Sequence, residues 1–79
     1  MLNVNRVTLL GNVIEDPTVR NTKTGTKVAN FRIATSKKWK NKEGEAQSSR
    51  QFHRCTVFGG VADFVGTLAK GDAVYVEGE

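Results

Sequence analysis

Two clusters of side chains have types and spacings that suit binding chemistry. In Arg50-Gln-Phe-His-Arg-Cys-Thr-Val-Phe58, a ring, a cation, a hydroxyl and a ring recur at positions 52, 54, 56 and 58. Successive residues of an extended strand point to opposite faces. Phe52, Arg54, Thr56 and Phe58 therefore share one face, and Gln51, His53, Cys55 and Val57 share the other. Rings interleaved with cations suit a ligand with a flat π-face and a charge in every unit, as in single-stranded nucleic acid. The second cluster is Lys37, Lys38, Lys40 and Lys42 around Trp39. Aromatics flanked by cations are a recurrent stacking device. Each cluster has a plainer reading: the phenylalanines are core, or the lysines are a solvated face and Trp39 caps a core edge.

Other chemistries find little support. Cys55 and His53 are the only cysteine and histidine, too few for a disulfide or a zinc site. There is no paired-carboxylate constellation and no phosphate-cradling glycine loop. His53 and Cys55 lie two apart on one strand face, which permits a nucleophile–base pair, but a core cysteine is the simpler reading. The expectation is a non-enzyme without cofactor or metal.

The elements that must position the clusters follow from pattern. Val4 to Ile14 reads as a first strand of high β-propensity. Its internal Gly11 marks a bulge or a close backbone approach, and a strand bent there can serve two halves of a curled sheet. Asp16-Pro17 ends it. Thr18 to Arg20 is a short extension and Asn21 to Thr26 a turn. Lys27 to Ser36 is a second strand with Ala29, Phe31, Ile33 and Thr35 facing the core. Val28, Asn30, Arg32 and Ala34 face water or ligand. Residues 37–49 lack a core-forming period and form a polar excursion, a protruding hairpin around Gly44. Arg50 to Phe58 is the third strand, broken by Gly59-Gly60. Val61, Phe64, Val65 and Leu68 at helical spacing predict two turns of helix with a core-facing stripe, stopping at Lys70-Gly71. Ala73 to Glu79 is a fourth strand. The order is β-β-β-α-β in a single domain, 1–79.

The chain has 79 residues and a net charge of +4. A domain of this size is marginal in stability, and without a disulfide or metal staple oligomerisation is the remaining support. Positive charge favours a polyanionic partner. A lone cysteine fits a reducing compartment. No signal-peptide pattern opens the chain, and no apolar run is long enough for a bilayer. A soluble protein without a membrane partner is expected.

In order and spacing these residues resemble the bacterial and mitochondrial single-stranded DNA-binding protein family. The resemblance is carried by Asn5-Arg-Val-Thr-Leu-Leu-Gly-Asn12, by Asp16-Pro17 with Val19-Arg20, and by Val28-Ala-Asn-Phe31 through Ile33-Ala-Thr-Ser36 and Trp39. It continues through Phe52-His-Arg54, Phe58-Gly59, Leu68, Lys70-Gly71 and Val74-Tyr-Val-Glu-Gly78. It implies an all-β OB-fold, a Greek-key barrel normally of five strands, with one short helix between strands 3 and 4. It implies sequence-independent binding of single-stranded DNA in replication, recombination and repair. Trp39, Phe52 and Phe58 would stack bases, Phe52 standing where many members carry tryptophan. Lys37, Lys38, Lys40, Lys42, Arg54 and Arg32 would meet phosphates. The resemblance further implies a homotetramer whose first strands pair through Asn5, Arg6, Val7, Thr8, Leu9 and Leu10. His53 matches a histidine near subunit contacts, although a satisfied histidine on the core side of its strand fits as well. The implied location is the cytoplasm, with the nucleoid; a mitochondrial matrix is the lesser alternative.

The family continues past Tyr75-Val-Glu-Gly78 into a fifth strand and an acidic tail that recruits other proteins. The corresponding expectation is a barrel incomplete at its C-terminus, with an unpaired sheet edge. Lower stability, reliance on self-association (a dimer in place of the tetramer being open) and no tail-recruited partners go with it. An RNA-binding OB module and a protein-interaction module remain as rival functions.

Overall fold

The computed structural model describes residues 2–79. It contains β1 (Val7–Val13), β2 (Thr18–Asn21), β3 (Lys27–Lys40), β4 (Ala46–Phe58), α1 (Gly60–Val65) and β5 (Ala73–Gly78), all strands pairing antiparallel. β3 is the axis of the sheet. β4 pairs with it from Val28 to Lys40 on one side. On the other side β2 takes Lys27 to Asn30, and β1 takes Ile33 and Ala34. β1 then leaves β3 and pairs with β5 from Val7 to Asn12. Among the described residues β4 and β5 each pair on one side only, so these strands curl without closing a barrel.

The change of partner in β1 depends on Gly11. A Cβ built there would lie 2.3 Å from the carbonyl oxygen of Ala34. Only a residue without a side chain lets β1 cross β3 this closely, as the isolated glycine predicted. Asp16 and Pro17 separate β1 from β2, and the Asp16 carboxylate accepts the Lys70 backbone N–H at 3.0 Å. The loop before β5 is thereby pinned beneath the end of β1, where the Val13 N–H also donates to Asp72 O at 2.8 Å.

The core is small: Val13, Ala29, Phe31, Ile33, Ala62 and Val65, flanked by Leu9, Cys55, Val57, Leu68, Val74 and Val76. The inward face read for β3 and the alternation read for β5 both hold. Four expectations are corrected. The first strand begins at Val7, not Val4, so Asn5 and Arg6 precede it. The expected hairpin around Gly44 is present, but the strands do not stop at Ser36 and Arg50: 37–40 and 46–49 continue β3 and β4, because backbone pairing runs past the core to a turn in which Asn41 Oδ1 accepts the N–H groups of Glu43 and Glu45. Gly44 supplies the positive φ of 79° that this turn requires. Val28 and Ala34 are buried despite lying on the outer side of β3. Val28 is flanked by β2 and β4, and Ala34 by β1 and β4.

The helix is the fourth correction. It has six residues, and it turns Ala62 and Val65 inward while Val61 and Phe64 stay 59% and 64% exposed. A salt bridge links Lys27 at the start of β3 to Asp63 on the outer side of the helix. The long β3–β4 hairpin gives the molecule extents of 56 × 40 × 16 Å and a radius of gyration of 16.0 Å. A compact chain of this length would have a radius of about 12 Å.

Candidate nucleic-acid interface

Register and burial decide between the two readings of β4. Phe52, Arg54, Thr56 and Phe58 are all exposed, while His53, Cys55 and Val57 are half-buried beneath them. Phe52 and Phe58 are 58% and 64% exposed, against 4% for the core ring Phe31. The phenylalanines are therefore not core. Their row extends to Arg50, whose guanidinium lies over the Phe52 ring with 5.6 Å from Cζ to the centroid. The result is Arg-Phe-Arg-Thr-Phe at every second residue, with same-face neighbours about 7 Å apart. Arg50 is an addition to the expected residues, and its position two residues before Phe52 was the signal that could have found it.

β3 lays a second row beside the first. Facing pairs are Val28 with Phe58, Asn30 with Thr56, Arg32 with Arg54, Ala34 with Phe52, Ser36 with Arg50 and Lys38 with Ser48. The Thr56 hydroxyl donates to Asn30 Oδ1 at 2.9 Å, which fixes both polar groups at the centre of the face. Arg32 Nε donates to Glu15 Oε1 at 2.8 Å. This hydrogen bond, and then the positive charge of Arg32, hold the Glu15 carboxyl below its ordinary pKa; the hydrogen bond and then the negative charge of Glu15 raise Arg32. Glu15, Asp16, Thr18 and Asn30 line a shallow cleft with Arg32 and Arg54.

The predicted residues do not form one cluster. By strand alternation Lys38 and Lys40 share the Phe52 face, whereas Lys37 and Trp39 lie on the opposite side of the arm. Trp39 is 43% exposed, with Lys37 Nζ 6.0 Å from its ring centroid. Lys42 sits in the turn at the tip. The molecule thus has two ring-and-cation surfaces, one along the sheet and one on the far side of the arm.

The residues expected at a subunit contact lie elsewhere. Asn5, Arg6, Val7, Thr8 and Leu10 are exposed, and Leu9 packs against the core. Among the described residues one edge of β1 carries β5, while the other meets β3 only at Asn12 and Val13. The half-buried His53 ring makes a hydrogen bond of 2.9 Å with Thr35 Oγ1. Burial pushes the Cys55 thiol above its ordinary pKa, so it is neutral at physiological pH. Among the described residues no group of three or more His, Cys, Asp or Glu side chains is placed to hold a metal. No helix among them is long and apolar enough to cross a membrane.

Comparison with known proteins gives consistent results. A sequence model of the single-strand binding protein family matches residues 4–79. A solved Plasmodium falciparum SSB in complex with ssDNA superposes with a TM-score of 0.92 at 32% identity, covering 100% of this chain and 72% of that one. A single-stranded DNA binding protein from Thermus aquaticus, solved as a deletion mutant, superposes with a TM-score of 0.86 at 27% identity. Here 96% of this chain matches 38% of that one. The all-β architecture with its short helix is the OB type of these neighbours.

Proposed function

Because the chain belongs to the single-strand binding protein family, we propose that its function is sequence-independent binding of single-stranded DNA. The observation that carries this reading is the exposed row Arg50, Phe52, Arg54, Thr56 and Phe58 on β4. A bare apolar ring loses contact with water when a base stacks on it, and a cation between two rings meets the phosphate that links two stacked bases. Phe52 and Phe58 stack bases on the sheet. Arg54, Arg50, Lys38 and Lys40 neutralise phosphates on the same side, with Arg32 beside Arg54. Trp39 with Lys37 offers a second stacking platform on the opposite face of the arm, and Lys42 extends its charge to the tip. A strand that engages both surfaces must pass around the hairpin. No catalytic step is assigned to the protein. Its role is to hold and protect single strands during replication, recombination and repair, in the cytoplasm with the nucleoid.

Assembly is part of the proposal. The free edge of β1 over Val7 to Leu10, with Val7 and Leu10 exposed, fits pairing with the same strand of a second copy in a homo-oligomer. Asn5 and Arg6 would extend that edge. His53 would support the contact from within, through its bond to Thr35.

The test is anisotropy of labelled oligothymidine, with duplex DNA and oligouridine as competitors and the emission of Trp39, the single tryptophan, as a second reporter. Tight binding to oligothymidine, resistant to duplex and accompanied by quenching, is expected. Equal competition by duplex would refute the stacking mechanism, and stronger competition by oligouridine would reassign the ligand to RNA.

A further inference from the structure

Arg32 and Arg54 face each other across β3 and β4 on the exposed side of the sheet. Like charges directly opposite on neighbouring strands repel. Among the described residues the one carboxylate in ion-pair contact with these two cations is Glu15, from the segment between β1 and β2, and it is bonded to Arg32; Glu77 and Glu79 line a neighbouring cavity with Arg54 but make no ion pair with it. The other acidic residue of the cleft, Asp16, is engaged with the Lys70 backbone N–H. Among the described residues Arg54 has no carboxylate within ion-pair distance. One of two adjacent cations is therefore paired and the other is open. The paired members are accessible, with side chains 43% exposed for Arg32 and 55% for Glu15.

We infer that Glu15 is an intramolecular competitor for the phosphate site at Arg32, and so sets the affinity of the sheet for single strands. The inference rests on the single-stranded DNA reading of this face. A carboxylate and a phosphodiester each carry one negative charge and accept hydrogen bonds from the same guanidinium. In the free protein Glu15 occupies Arg32 and relieves its repulsion with Arg54. A bound strand brings a phosphate that must displace Glu15 or sit beside it. Glu15 thus steadies the free sheet and weakens the complex, acting through Arg32 and not as a general negative charge.

The experiment is a double-mutant cycle on the full chain: parent, Glu15→Gln, Arg32→Gln and the double variant. Each is titrated with labelled oligothymidine at low salt, with circular dichroism confirming the fold. Glu15→Gln should tighten binding about threefold to fivefold, the upper range for an exposed ion pair. In the Arg32→Gln background the same change should have an effect below about 1.5-fold. Equal tightening in both backgrounds would overturn the inference in favour of unspecific charge repulsion. Unchanged or weaker binding by Glu15→Gln beside a parent that binds well would overturn it and leave the single-stranded DNA reading standing. A parent that does not bind oligothymidine would overturn both.

Discussion

Truncating Phe58 to alanine separates a ligand-facing ring from a structural one. Phe58 is 64% exposed, whereas Phe31 in the core is 4% exposed. Fully burying a phenylalanine contributes ~1.5–3 kcal/mol, so the part of Phe58 removed from water is worth at most ~1 kcal/mol to folding. Removing Phe31 should cost ~3–5 kcal/mol, the range for buried aromatic truncations. Binding reverses the order. A stacked base is worth ~1–3 kcal/mol on alanine substitution, the range already established for single-strand binding proteins as a class. That corresponds to a dissociation constant raised by about 5- to 150-fold. Phe58→Ala should therefore lose oligothymidine affinity by anisotropy while its urea midpoint moves little. Phe52→Ala should behave alike, with a further small loss because Arg50 no longer has a ring to lie on. A Phe58→Ala protein that binds within twofold of the parent would refute the stacking assignment. One that is destabilised as much as Phe31→Ala would refute the burial reasoning.

Three further outcomes can be checked. Gly11→Ala drives a Cβ into the Ala34 carbonyl; overpacking of this kind costs ~1–3 kcal/mol, and each kcal/mol lowers the melting temperature of a small domain by about 4–8 °C. Lys38, Lys40, Arg50 and Arg54 share the Phe52 face, so neutralisation of their phosphates predicts a log–log salt dependence of affinity with a slope near about −3. Titrating stability with acid tests the Glu15–Arg32 contact. The folded carboxyl has a lowered pKa, so its contribution is complete above the ordinary carboxylate range and is lost as pH falls through the lowered value. That acid-sensitive increment should be missing from Glu15→Gln.

Much of the binding face was legible because β4 has one wet and one dry side, and alternation encodes that difference directly. Gly11 and Asp16-Pro17 were legible because each restricts backbone geometry by itself. The rest depended on distant elements. The arm strands 37–40 and 46–49 see water on both faces, so no hydrophobic period marks them, and their strand character comes from pairing and from the Asn41–Glu45 turn. The inward face of the helix is hidden in the sequence because a stripe of large apolar residues outweighs Ala62, which is fully buried. Small size lets Ala62 sit against the sheet, and Phe64 is left outside. Parity puts Val28 and Ala34 on the outer side of β3, yet the strands flanking them on both sides leave them buried. The partition of the cations between Trp39 and Phe52 needed the register, and the pairing of Arg32 with Glu15 needed the path of the chain after β1.

The pairing of β1 also orders the events of folding. Val7 lies opposite Gly78, about seventy residues away in sequence, whereas β3 and β4 pair around a turn of five residues. A hairpin of the second kind forms in about 1–10 μs. Non-local sheet pairing belongs to the millisecond-to-second regime. On a ribosome adding about 5–20 residues per second, β1 emerges first and waits several seconds for β5. The long arm can thus be complete while the crossing at Gly11 has yet to form. During that interval β1 is an unshielded strand in a nascent chain, open to a neighbouring nascent copy or to a chaperone.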